Sequence, residues 1–116
     1  MTGGIFGGAE PVVPLPERDP AAIRAAVARI NVTALAKFEA DWTAATARAR
    51  DEYSLLPARY FVEHWWNWVA VERWPELAAR LHECERIVAE SQDRAQRRAA
   101  AAEISEILQR AAAALA

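Results

Sequence analysis

Between Ser54 and about Glu72 the chain gathers Tyr60, Phe61, Val62, Trp65, Trp66, Trp68, Val69 and Val71. On a helical projection Phe61, Trp65, Trp68 and Glu72 share one face, and Val62, Trp66, Val69 and Arg73 share its neighbour. That apolar arc is wider than a surface helix needs, so the spacing predicts a helix packed on several sides, at the centre of the fold. Ser54 is placed to cap it, with Pro57 tolerated in its first turn. Trp74-Pro75 ends it, because the residue before a proline is pushed out of the α region.

The flanking sequence supplies partners with the same period. Asp19-Pro20 reads as an N-cap followed by a proline at the first helical position. A first helix then runs to about Arg29 with Ile23, Val27 and Ile30 on one face. Asn31 breaks it and caps a second helix over Val32 to Asp51. There Leu35, Phe38, Trp42, Ala45, Ala49 and Tyr53 recur at steps of three and four, opposite a solvated face of Lys37, Asp41, Arg48 and Asp51. From Glu76 onward the pattern is helical again through Leu77, Leu81, Cys84, Val88, Ser91 and Ala95, then Ile104, Leu108, Ala111 and Leu115. No glycine follows Gly8, so a single helix to Leu115 and a division near Ser91-Gln92-Asp93 both stay open. Strand signals are absent. The expected fold is all-α, a bundle of about four helices over residues 19–90 with a long C-terminal helical extension over 91–116.

The first 18 residues differ in kind. Gly3, Gly4, Gly7, Gly8, Pro11, Pro14 and Pro16 isolate the few apolar residues among breakers, which predicts a flexible, disordered tail, with room for part of it to lie extended against the body. The alternative is a short linear motif, since prolines lower the entropy cost of ordering on a partner. With no basic region leading into an apolar one, the N-terminus does not read as a signal peptide. A length of 116 residues fits one domain, and a net charge of -2 argues against broad binding to nucleic acid or an anionic membrane. The single cysteine, Cys84, excludes an internal disulfide framework and fits a reducing, cytoplasmic setting. Apolar stretches are too short to span a membrane.

Chemistry finds little to work with. His82 and Cys84 lie about 200° apart around a helix, so they cannot share a metal. No paired-ligand spacing occurs for zinc or a di-metal site, and nothing orients Cys84 and His64 as a nucleophile and base. Cys84 sits on an apolar stripe, where a free cysteine is ordinarily a small hydrophobe. Neither a cofactor nor a metal is expected. The tryptophans lack interleaved cations, so core packing fits better than base stacking, with Trp65 and Trp68 inward and Trp66 or Trp74 nearer the rim. A helix-turn-helix is equally poorly matched, because bulky aromatics stand where base-reading side chains should project. The arginines Arg94, Arg97 and Arg98 form the one basic cluster, which reads first as a solvated helix face.

The C-terminal helix carries the functional expectation. Ile104, Ile107, Leu108 and Leu115 on one side form apolar surface that wants burial, by folding back, by pairing with a second copy, or in another protein's groove.

The strings Asp19-Pro20-Ala21-Ala22-Ile23-Arg24, Leu35-Ala36-Lys37-Phe38-Glu39-Ala40-Asp41-Trp42 and Phe61-Val62-Glu63-His64-Trp65-Trp66 resemble a family of small actinobacterial proteins over about residues 19 to 90. That family shares an Ala-Ile-Arg start, a Phe-Glu-x-[Asp/Glu] helix and a Glu-x-Trp-Trp helix, and it has no assigned activity. The resemblance implies an antitoxin or accessory role, since members of that family are often encoded beside toxins resembling the RelE/ParE type. The C-terminal extension departs from the Pro/Trp-containing tail of those relatives. The expected function is therefore a non-enzymatic protein-binding module, contacting a small toxin through Trp66, Trp74, Arg97, Arg98, Ile104, Ile107, Leu108 and Leu115. The alternative is a structural protein that forms a homodimer through its C-terminal helix.

Overall fold

The computed structural model describes residues 10–113. Among them are five helices and no strand: α1 Pro20–Ile30, α2 Val32–Glu52, α3 Leu56–Glu72, α4 Pro75–Glu90 and α5 Arg94–Ala113. The fold is all-α, as expected, with one helix more than the four anticipated. Among the described residues no helix is long and apolar enough to cross a membrane. The chain divides into two units, one spanning Val13–Val69 and the other taking in Val12 and the residues from Ala70 onward, so the boundary falls within α3.

In the unit over Val13–Val69, side-chain caps set the helix starts. Asp19 accepts a hydrogen bond from the Ala22 amide at 3.0 Å, with Pro20 in the first turn. Asn31 accepts from the Thr33 amide at 2.9 Å and starts α2. A cap of this kind contributes about 1 kcal/mol by satisfying an amide that the helix leaves open. Between the helices lies an aromatic cluster. Phe38 of α2 meets Phe61 and Trp65 of α3 with ring centroids 4.9 and 5.3 Å apart, both edge-on. Trp42 packs on Phe61 at 5.0 Å and Trp65 on Trp68 at 5.3 Å. These separations suit ring quadrupoles, which favour edge-to-face and offset contacts. Ile23, Val27, Phe38 and Trp65 are buried, as their helical spacing predicts.

The tail expected over residues 1–18 is fastened in its second half. Val13 is buried. The Trp66 indole N–H donates to the Pro16 carbonyl at 2.9 Å. Arg18 stacks 3.8 Å above the Trp66 ring and pairs with Glu63 at 3.0 Å. The prolines that forbid a helix here suit an extended strap, whose carbonyls are free to accept from side chains. The remainder of that expectation, over residues 1–9, lies outside the described residues.

In the other unit α4 and α5 form an antiparallel hairpin joined by Ser91–Asp93. The continuous helix to Leu115 is therefore not formed, and Ser91 lies in the turn instead of on an apolar stripe. Asp93 supplies the stop that no glycine provides, accepting from the amides of Ala95 at 2.9 Å and Gln96 at 3.2 Å. Leu81 and Cys84 of α4 and Ala100, Ile107 and Ala111 of α5 are buried. Arg80 joins the two helices by a two-pronged ion pair with Glu103, at 2.6 and 2.7 Å.

Burial pushes the Cys84 thiol pKa up, and the neighbouring Glu103 carboxylate adds to the effect. A buried thiol held protonated is a poor nucleophile. We expect Cys84 to react with a chromogenic disulfide reagent at least a hundredfold more slowly in the native protein than in urea. Equal rates would show that α4 and α5 separate freely.

Candidate functional site

The largest departure from the helical pattern lies at the corner between α2 and α3. Tyr53, expected to continue the apolar stripe of α2, instead ends that helix in the left-handed region with φ 50. It is the sole non-glycine residue with positive φ among the described residues. Its amide bonds to the Ala49 carbonyl, and the Ser54 amide reaches the same carbonyl at 3.0 Å. The helix end so closed is one that glycine serves best, since any Cβ is crowded there. Ser54 then accepts from the Leu56 amide at 3.1 Å and begins α3.

What this corner presents is apolar. Tyr53 is 96 % exposed, Leu55 75 %, Leu56 49 % and Tyr60 67 %, all within the eight residues 53–60. Leu56 and Tyr60 stand one turn apart and so share a helix face. Two shallow hollows flank them. One, of about 340 Å³, is lined by Ala49, Arg50, Tyr53, Ser54 and Leu55. The other, of about 260 Å³, has Ala44, Ala45, Pro57, Phe61 and Trp65 for its apolar lining and Asp41, Arg48, Tyr60 and His64 for its polar one. Exposed aromatic and aliphatic side chains beside such hollows, with arginines at the edge, have the composition of a binding hot spot.

The floor of the second hollow is held rigidly. The Trp65 indole N–H donates to Asp41 at 3.0 Å, and Lys37 pairs with the same carboxylate at 3.0 Å. Burial raises the Asp41 pKa, but the hydrogen bonds from Lys37 and Trp65 outweigh it and hold the carboxyl below its usual range. The paired carboxylate holds the Trp65 ring edge-on against Phe38.

Replacing Tyr53 with glycine isolates the cost of this geometry. The substitution removes the crowding of a left-handed tyrosine and adds only the chain entropy of glycine. We expect a net gain in stability of about 0.5–1 kcal/mol, read as a rise in the urea midpoint with unchanged slope. A loss of stability would mean that the exposed ring makes packing contacts of its own.

The residues expected from sequence to contact a partner fall elsewhere. Trp66 and Trp74, one or the other expected nearer the rim, are both buried, 4 % and 7 % exposed. Trp66 is covered because its indole finds a partner in the strap, a contact across fifty positions that helical periodicity cannot show. Trp74 precedes α4, and the Arg73 guanidinium lies 5.0 Å from its ring. Arg97 and Arg98 are exposed on α5. Ile104 is half-buried, Ile107 is buried and Leu108 is 40 % exposed. The apolar face expected to project thus turns largely inward, because α5 folds back on α4. Leu115 lies outside the described residues. Among the described residues no group of three His, Cys, Asp or Glu side chains stands where it would hold a metal ion.

Fold and site together describe a small all-α protein in which, among the described residues, the α2–α3 corner gathers Tyr53, Leu55, Leu56 and Tyr60 as exposed apolar surface. The family model of DUF6247, a family of unknown function, matches residues 11–112, and the chain belongs to that family. No match was found among curated proteins or among solved structures.

Proposed function

We propose that this protein is a non-enzymatic protein-binding module that meets its partner with the α2–α3 corner. One observation carries the reading. Tyr53 occupies a backbone conformation that disfavours tyrosine, and its side chain is 96 % exposed. A residue held in such a conformation without being packed contributes nothing to the fold that glycine would not supply better. Local strain of this kind is retained where it serves a surface. Leu55, Leu56 and Tyr60 extend that surface, and burying each such side chain at an interface is worth about 1.5–3 kcal/mol before the costs of association.

The finer assignment rests on the sequence resemblance. Relatives encoded beside toxins of the RelE/ParE type make a small toxin the partner to try first, in an actinobacterial cytoplasm whose reducing conditions suit a free Cys84. The docking surface differs from the C-terminal helix, whose Ile107 is already buried.

The test uses tagged protein expressed in its own host, as the wild type and as Leu55→Ser/Leu56→Ser/Tyr60→Ser. Quantitative mass spectrometry should find a stoichiometric protein with the wild type and not with the variant. Identical sets of bound proteins would remove the corner from consideration.

A further inference from the structure

The α4–α5 hairpin has the properties of an exchangeable arm. Its turn, Ser91-Gln92-Asp93, contains neither glycine nor proline. Side chains hold the turn. Asp93 accepts from the Ala95 and Gln96 amides, the Ser91 hydroxyl donates to Gln96 at 2.6 Å, and the Asp93 amide donates to Ser91. All three residues are acceptable inside a helix, where backbone hydrogen bonds would replace those caps. The stripe Leu77, Leu81, Cys84, Val88, Ser91 and Ala95 keeps helical steps straight through the turn. Sequence and turn therefore support two forms, one bent and one straight.

Opening the arm breaks little that exchange would not restore. The described residues of α5 bury Ala100, Ile107 and Ala111, two of them alanines, and the Arg80–Glu103 pair clasps the two helices. A second copy offers an identical α4, so every one of these contacts can form between chains.

We propose that the protein exchanges α5 with a second copy of itself, residues 91–93 straightening so that Glu103 of each chain pairs with Arg80 of the other. This inference is independent of the docking corner, which belongs to the other unit.

Two charge variants test it. Arg80→Glu and Glu103→Arg each place like charges at the clasp when alone. Unfolded together and refolded at high concentration, they can restore both ion pairs, but only between unlike chains. Light scattering should then show a species of twice the 12.9 kDa chain mass. Native mass spectrometry should show nearly all of the dimer as unlike pairs, against the one half that random pairing gives. Wild-type protein treated the same way should also yield dimer, more of it with Asp93→Ala and far less with Gln92→Pro, which cannot sit within a straight helix. Monomers throughout, or dimers of statistical composition, would overturn the proposal.

Discussion

Trp65→Ala destabilises the Val13–Val69 unit by about 3–5 kcal/mol, enough to unfold it at moderate temperature. Three losses add up. The buried indole leaves a cavity between α2 and α3, its edge-on contact with Phe38 and its packing on Trp68 disappear, and Asp41 loses a hydrogen-bond donor. Trp65→Phe retains a ring but neither the full volume nor the N–H, and it should cost roughly half as much. Chemical denaturation of both variants, followed by circular dichroism, checks the order. A cost below about 1 kcal/mol for the alanine variant would mean that the aromatic cluster is not the core of this unit.

Leu55→Ser/Leu56→Ser/Tyr60→Ser lowers partner affinity by at least a hundredfold and leaves the fold intact. The three side chains are largely in water, so removing them takes little from the native state. Exposed substitutions of this kind ordinarily change stability by about 0.5 kcal/mol or less each. In a complex the same side chains would be desolvated, and losing two or more hot-spot contacts of about 2 kcal/mol accounts for the fall. The pair of variants therefore separates cleanly. Trp65→Ala removes binding by removing the fold, whereas the corner variant removes binding alone. Tyr53→Gly adds the third case, a more stable protein that binds less well.

The fold was legible where a local rule decides. Asp19, Asn31 and Ser54 accept from amides two or three positions away, so the starts of α1, α2 and α3 could be read from single residues. Helical period placed Phe38, Phe61 and Trp65 in the core. The α4–α5 turn was visible only as a weak point, because Asp93 competes as a cap in a sequence equally able to continue as helix. Trp66 was misplaced because the group that covers it, the Pro16 carbonyl, lies in a segment whose composition suggests a loose tail.

The site was less legible than the fold, for a related reason. Tyr53 falls in register with Phe38, Trp42 and Ala49, and nothing in that periodicity shows that the backbone turns left-handed one residue after α2 ends. Leu55, Leu56 and Tyr60 look like the opening turn of a buried helix. Their exposure depends on where α3 begins and how α2 packs against it. The available signal was the Ser54-Leu55-Leu56-Pro57 string, two leucines between a cap and a proline, where a surface turn would ordinarily be polar.

The central claim is that the α2–α3 corner is a docking surface, and calorimetric titration tests it most directly. The partner recovered with the wild-type protein is titrated into the wild type and into the Leu55→Ser/Leu56→Ser/Tyr60→Ser variant, both first shown to have the same thermal stability. One-to-one binding to the wild type and at least a hundredfold loss with the variant are expected. Equal affinity for both would contradict it and move the interface off the corner.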